Sequence, residues 1–242
     1  MKITNYLFVG LLLATGPSFS QETNKKPPVK ATLEDFEEPP SWDVTCEVFS
    51  LPLSEAAKLK RAKETDAQDY AELLKRVETD KATLEEFLML RAREGQNTTA
   101  EEISEMIYAT EYEPPELPNE IGNLVDDIEK AKALVTPASP TSFDTKKVGS
   151  TFEVELTVDE ENAVEVQCSL TFVSYLGNRT WGQEMAEAEM PKFGVQRIMT
   201  GLTITPDSPT LIGSISPPEA LQPKKGERLV WLAYVTVSKS KD

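Results

Sequence analysis

The chain has 242 residues, a formal net charge of -16 at pH 7, no histidine and two cysteines. That length suits one domain of ordinary size or two small ones, and the acidity disfavours binding to nucleic-acid phosphates and to anionic membranes. The lack of histidine excludes Ser–His and Cys–His nucleophile pairs and zinc sites of the zincin type, so most enzyme classes are excluded before any motif is considered.

Residues 1–20 have the composition of a signal peptide. Lys2 supplies the positively charged n-region, and an apolar run follows over residues 6–14. Cleavage is expected between Ser20 and Gln21. The apolar run is too short to span a bilayer, and no later segment approaches the necessary length. We therefore expect an exported protein without a transmembrane helix, and the sequence leaves open whether the protein associates with a membrane through the apolar face of a hairpin at 152–172.

The segment after the expected cleavage point is polar and rich in proline. Residues 21–41 contain two Pro-Pro pairs and an acidic stretch, which predict a disordered or extended lead-in. Residues 42–51 then form the first predicted strand, with Val44, Cys46 and Val48 on one face.

A helical insertion is predicted over residues 53–79. Pro52 ends the first strand, and Ser54 is the expected N-cap of a helix over residues 55–64. A second helix is predicted over residues 66–78, where apolar residues recur at helical spacing opposite a charged face. This pattern is typical of a helix pair packed on one side.

The middle of the chain alternates between short predicted elements. In order, they are a short helix at 80–86, a strand at 87–93, a turn at 94–97, a strand at 98–108, a stiff proline-rich turn at 113–118, and a connector at 119–142 with a helix at 123–134.

The clearest pattern in the sequence lies between residues 152 and 172. Apolar and polar residues alternate on both sides of an acidic tip at 159–162, which predicts an antiparallel hairpin with one apolar face. An aromatic and glycine-containing loop is predicted at 174–192, and the remaining strands are predicted at 194–205, 210–216 and 228–237. The sequence therefore predicts an α+β fold, mainly antiparallel β, as a single domain over 42–238 with the helical insertion near its amino-terminal end.

The two cysteines each lie in an alternating apolar pattern. Cys46 and Cys168 therefore face a core from their own strands. In an oxidising compartment they would form a disulfide if the two strands are adjacent or stacked; otherwise they remain separate buried thiols. The sequence leaves both alternatives open, while a cysteine nucleophile is disfavoured because no histidine can activate it.

No pattern of residues indicates a catalytic, cofactor-binding or metal site. A two-acid glycosidase needs its carboxyl pair in a cleft, whereas most acids here fall on solvated helix faces, strand faces and loops. The acidic stretches Asp126-Asp127 and Asp159-Glu160-Glu161 lack EF-hand spacing and would hold calcium only weakly. The aromatic residues predict either a surface belt or ordinary core packing: Tyr108, Tyr112, Tyr175, Trp181, Trp231 and Tyr234.

The order of the strand segments resembles the carboxy-terminal β-domain of bacterial secretins, the outer-membrane ring proteins of type II and type III secretion and of type IV pili. Six segments carry this resemblance: VTCEVF at 44–49, LMLRAREGQNTTA at 88–100, VGSTFEV at 148–154 with VEV at 164–166, TGLTI at 200–204, LIGSI at 211–215 and RLVWLAYVTV at 228–237. The family usually has a paired glycine and leucine where this chain has Gly213-Ser214-Ile215, and the helices at 53–79 look like an insertion.

The resemblance implies a non-enzymatic, secretin-like protein of the Gram-negative cell envelope, in the periplasm or outer membrane. It would be a structural or accessory component of a type IV pilus or secretion-type assembly, with envelope proteins or its own copies as partners. The strands at 44–50 and 228–237 are the expected pairing edges. An alternative from the residues alone is a soluble periplasmic module that binds a glycan or peptide through the aromatic and glycine-rich segment at 174–194.

Overall fold

The computed structural model describes residues 40–116, 136–159, 163–182 and 186–241. The predicted signal peptide, nearly all of the lead-in and the helix predicted at 123–134 lie outside these residues. The elements in chain order are β1 (Ser41–Pro52), α1 (Leu53–Arg61), α2 (Asp66–Glu78), β2 (Thr83–Arg93), β3 (Thr98–Glu113), β4 (Ser139–Val158), β5 (Val164–Trp181), β6 (Ala188–Ile204), β7 (Thr210–Ile215) and β8 (Leu229–Lys239), with a short 3-10 helix at Glu219–Leu221.

The strands form two antiparallel sheets that face each other across one apolar core. Sheet A has the order β2-β1-β8-β7, and sheet B has the order β3-β4-β5-β6. The core takes Val44 and Cys46 from β1 and Val235 from β8 on one side, and Phe152 and Leu170 from sheet B on the other. The predicted α+β class, with two helices near the amino-terminal end, is confirmed.

The predicted hairpin forms the centre of sheet B. β4 and β5 pair from Val158 opposite Val164 to Gly149 opposite Val173. Because side chains alternate between the two faces of a strand, this register places every apolar residue of the pattern toward sheet A and every glutamate toward the outside.

The two helices cover part of the outer face of sheet A and enclose a second, smaller core. Phe49 and Leu51 of β1 and Leu232 of β8 pack there against Leu59 of α1 and Leu73 of α2. α2 begins with a capping box in which Thr65 and Gln68 bond reciprocally. The central strands of sheet A are consequently buried on both faces, which explains the nearly continuous apolar sequence of β8.

Sheet B is longer than sheet A. Its strands continue beyond the core over residues 103–113, 139–149, 173–181 and 188–197, which we call the sheet extension. Gly149 lies where β4 passes from the core into the extension, with φ of +134 degrees, and a β-carbon at this position would lie 2.1 Å from the Glu102 carbonyl oxygen. Only glycine fits this position without a backbone shift.

Several local predictions are wrong. Residues 80–82 form a turn, and β2 begins at Thr83, so there is no helix at 80–86. α1 begins at Leu53 rather than after Ser54, and its N-cap position is Pro52, without a side-chain cap. The connector at 119–142 is shorter than predicted, because β4 begins at Ser139. The predicted loop at 174–192 is mostly strand, because β5 and β6 remain paired as far as Trp181 opposite Ala188.

Substitutions on the two faces of β4 should differ strongly in their effect on stability. Phe152→Ala removes a fully buried ring and should lower the free energy of unfolding by about 3–5 kcal/mol. Its neighbour Glu153 points outward, and Glu153→Ala should change stability by less than about 0.5 kcal/mol. Urea denaturation followed by circular dichroism measures both, and equal effects would contradict the assigned faces.

Candidate assembly surfaces and buried polar groups

Four strands are the edges of the two sheets: β2 and β7 in sheet A, and β3 and β6 in sheet B. The pairing edges predicted at 44–50 and 228–237 are wrong, because these residues form β1 and β8 in the middle of sheet A. β1 bonds to β2 on one side and to β8 on the other, while β8 bonds to β1 and β7. Their main-chain groups are thus already used within the chain.

The two edges of sheet B meet at the far end of the sheet extension. The Tyr112 hydroxyl on β3 donates a hydrogen bond of 2.6 Å to the Glu189 carbonyl oxygen on β6. The rings of Tyr108 on β3 and Phe193 on β6 are in edge-to-face contact, with centroids 5.5 Å apart. The sheet is therefore curled so strongly that its first and last strands contact each other through side chains.

The sheet extension exposes large apolar side chains that the core does not require. Ile107 is 70% exposed, although it lies within a regular strand pair. The other exposed large apolar residues of the extension are Phe143, Tyr175, Trp181 and Val195. Met199, on the outer face of the same sheet, is also 70% exposed. Exposed apolar residues grouped on one element are typical of an interaction surface.

The two edge strands of sheet B carry opposite charge. β3 contains five glutamates and no basic residue: Glu101, Glu102, Glu105, Glu111 and Glu113. β6 contains Lys192 and Arg197 with a single glutamate, Glu189. Because like charges repel across paired strands, two β3 edges pair unfavourably with each other, whereas a β3 edge and a β6 edge are complementary.

The aromatic residues divide between core and surface. Trp231 and Tyr234 are buried, whereas Trp181 is half exposed and stacks under the Arg179 guanidinium at 4.1 Å. Tyr175 contacts Phe193 rather than lining a groove. These contacts pair the exposed aromatics with neighbours on the strands, so no aromatic binding loop forms at 174–192 in the described part of that segment.

Metal and membrane-helix sites are not found in the described residues. No group of three or more acidic or cysteine side chains is arranged there to hold a metal ion. Among the described helices, none is long and apolar enough to cross a bilayer. The acidic pair Asp126-Asp127 and most of the tip at 159–162 lie outside the described residues.

A polar cluster fastens the helices to sheet A. The Lys60 ammonium group bonds to Asp69 at 2.6 Å and to Asp66 at 2.9 Å, and Asp69 is 1% exposed. Burial disfavours the charged form of Lys60, but the hydrogen bonds that the ammonium group donates to Asp69 and Asp66 outweigh this effect and raise the pKa of the amine. The second oxygen of Asp66 accepts a bond from the Leu211 amide on β7.

A second contact of the same kind joins α2 to β1. The Tyr70 hydroxyl donates a hydrogen bond to Glu47, a carboxylate that is itself buried. Burial, with the bond to Glu47, raises the pKa of Tyr70. Burial also raises the pKa of the neighbouring Tyr234 to about 12, so both phenols stay neutral at physiological pH.

Removing the cation of this cluster should destabilise the chain. Lys60→Met leaves the buried Asp69 carboxylate without its partner, which costs about 3–5 kcal/mol in fully buried pairs, and we expect the lower end because Lys60 is one-third exposed. The matched control Lys58→Met breaks an exposed pair with Glu55 and should cost about 0–1 kcal/mol. Thermal unfolding of both variants measures the difference, and an equal cost would show that the Lys60 pair adds nothing.

Cys46 on β1 and Cys168 on β5 both point into the main core between the two sheets. Both thiols are free in this structure. β1 and β5 are therefore stacked, which is one of the two arrangements that a disulfide requires. Burial raises the pKa of both thiols, to about 11 for Cys168. Since the thiolate is the reactive form, neither cysteine is suited to nucleophilic chemistry.

Thiol titration tests the state of this pair. The folded, reduced chain should not react with a thiol reagent at about pH 8, because both groups are buried and protonated, and both should react after denaturation. A fast reaction of the folded chain would contradict the burial. The same titration is applied to protein that has been exported by cells and purified without reductant. Two reactive groups after denaturation indicate separate thiols, whereas no reactive group indicates a disulfide between the sheets.

No model of a known protein family and no curated protein matches the chain. Among solved structures, the type II secretin GspD of enteropathogenic Escherichia coli has 11% identity and a TM-score of 0.43, over 85% of this chain and 71% of that one. The InvG secretin domain β-barrel of the Salmonella SPI-1 injectisome has 9% identity and a TM-score of 0.41, over 84% of this chain and 62% of that one. Aeromonas hydrophila ExeD has 8% identity and a TM-score of 0.36, over 84% of this chain and 46% of that one.

The GspD and InvG structures are secretins. This is the family that the order of strand segments resembles, and the likeness is one of fold alone at these identities and TM-scores. The chain spans about three fifths of the InvG domain.

Proposed function

We propose that this protein is a non-enzymatic, exported component of the cell envelope that acts by assembling with its own copies. The observation that carries the proposal is the sheet extension, a four-stranded sheet with open edges and exposed apolar side chains, Ile107 and Val195 among them. A long sheet of this kind invites further strands, because its edges present unpaired main-chain groups.

The charges on the two edges of sheet B favour head-to-tail association. The acidic edge of β3 in one copy would meet the more basic edge of β6 in the next, where Lys192 and Arg197 lie. An interface between two different surfaces repeats from copy to copy and generates rings or open chains. The electrostatic part of this association should weaken as salt is added.

The contact between β3 and β6 within one chain fits an unassembled state. The Tyr112–Glu189 hydrogen bond and the Tyr108–Phe193 ring contact join the two edges, and the described residues form no strand ladder between β3 and β6. Such side-chain contacts are weak enough to be exchanged for main-chain pairing with neighbouring copies.

The setting of this assembly is the exported compartment. The signal-peptide pattern at residues 1–20 supports export, and the secretin-like strand order supports the periplasm or outer membrane of a Gram-negative cell. The fitting partners are protein components of a type IV pilus or secretion-type assembly. The alternative, a soluble module that binds a glycan or peptide, was based on a loop at 174–194, and the described residues of this segment are mostly strand.

Oligomeric state and cell fractionation test the proposal. We expect the chain in the envelope fraction and, by size-exclusion chromatography with light scattering at low salt, in assemblies larger than a dimer. Arg197→Glu on the β6 edge should dissociate these assemblies, because it places a carboxylate opposite the glutamates of β3. Lys224→Glu makes the same change of charge in an exposed loop and should leave them intact. A monomer under all conditions, or equal effects of the two variants, would contradict the proposal.

A further inference from the structure

The outer face of sheet B carries an open cavity of about 380 Å³, which we call the trough. Strand pairing places its main lining residues in two neighbouring rows across β4, β5 and β6. The first row is Glu153, Ser169 and Met199, and the second is Glu155, Gln167 and Gly201. Val154 and Cys168 alternate with these residues and lie in the core, so the side chains of the trough point away from sheet A. The register that builds the core therefore also gathers these side chains at one site.

The polar groups of the trough are unpartnered within the described part of the chain. Glu153, Glu155 and Gln167 are exposed, and none of the three side chains takes part in a hydrogen bond or an ion pair there. Because Glu153 and Glu155 are two residues apart on one face of β4, their β-carbons lie about 7 Å apart, which leaves room for one cationic group between the carboxylates.

The carboxylates of the trough are also unbalanced by charge, because its two rows contain no basic residue. In the next row toward the sheet extension, Glu101 pairs with Lys147 at 3.4 Å, and Arg197 donates a hydrogen bond to Thr171 at 3.1 Å. In the next row on the other side, Glu165 adds a third carboxylate. Like charges this close repel one another, so the complementary occupant of the trough is a cation from outside the chain.

Gly201 and Met199 give the trough a gap and an apolar wall. A β-carbon at Gly201 would meet no atom closer than the Gln167 Cγ at 3.8 Å, so the space above this residue is open. Met199 is 70% exposed beside the gap, and its thioether side chain adapts to the shape of a partner. A guanidinium group is planar, weakly hydrated and able to bond to two carboxylates at once, so arginine matches this site better than a compact, strongly hydrated ammonium group does.

We propose that the trough binds an arginine side chain of a partner protein, whose guanidinium group lies between Glu153 and Glu155. The aliphatic part of the arginine packs on Met199 above Gly201, and the Gln167 amide bonds to the main chain of the same partner segment. The site lies on the face of sheet B and not on its edges. It therefore goes beyond the proposed function, and a single chain carries it as fully as an assembly does.

Fluorescence anisotropy of a labelled peptide tests the site. The probe is a short glycine-spaced peptide that contains arginine, and its control carries citrulline at the same positions, which keeps the shape and removes the charge. We expect the arginine peptide to bind at about 0.15 M salt. The citrulline peptide should bind at least about tenfold more weakly, because it loses the charge-assisted hydrogen bonds to the two carboxylates.

Variants separate the trough from the general attraction of a cationic peptide to a chain with a net charge of -16. Gly201→Leu fills the gap without a change of charge, and Glu153→Gln/Glu155→Gln removes both carboxylates. Each should weaken binding of the arginine peptide at least about tenfold. The matched control Glu64→Gln/Glu78→Gln removes the same charge from exposed positions of the helix pair and should bind like the wild type.

The result is distinguishable from that of the assembly experiment. Circular dichroism establishes that each variant is folded, and the two trough variants should keep the oligomeric state of the wild type in size-exclusion chromatography. The site would be overturned by a wild type that does not bind the arginine peptide at millimolar concentration, by equal binding of the citrulline peptide, by unchanged binding to Gly201→Leu, or by an equal loss in the helix control. Binding of labelled maltotriose in place of the peptide would also overturn it, in favour of a glycan site.

Discussion

Packing between the two sheets is the interaction on which the rest of the structure depends. Phe152, Val166 and Leu170 of sheet B meet Val44 and Val235 of sheet A in one core. Burial of these side chains fixes the register of every strand that contributes to it, because a shift of one residue would turn glutamates inward. The core ends before the strands of sheet B do, and the sheet extension is therefore held by main-chain pairing and by a few side-chain contacts.

The core is therefore the stable part of the molecule, and the sheet extension is the part suited to association. In the core, apolar residues face one another and charged residues face solvent. In the sheet extension, residues such as Ile107 and Phe143 are exposed, and the described contacts between the edge strands are the Tyr112–Glu189 hydrogen bond and the Tyr108–Phe193 ring contact. Regions with few buried contacts open at lower free energy than cores do, which is the property that exchange of partners requires.

The elements that were predicted correctly are those with strong local patterns. The β4–β5 hairpin alternates at every position, and the break between the helices coincides with the capping box at Thr65. The predictions failed where local patterns compete with long-range pairing. β4 contains Pro140 near its beginning and β5 contains Gly177 at a bulge, so neither residue ends its strand.

The sequence by itself determined the apolar and polar faces of the strands, the position of the helix pair and the absence of histidine chemistry, because these follow from residue type and spacing. Only the tertiary structure decided which strands are edges. β1 and β8 have the composition of good pairing strands and are central, whereas β2 carries Phe87 and Met89 and is open. Strand order depends on contacts between residues far apart in the chain, and local alternation does not encode it.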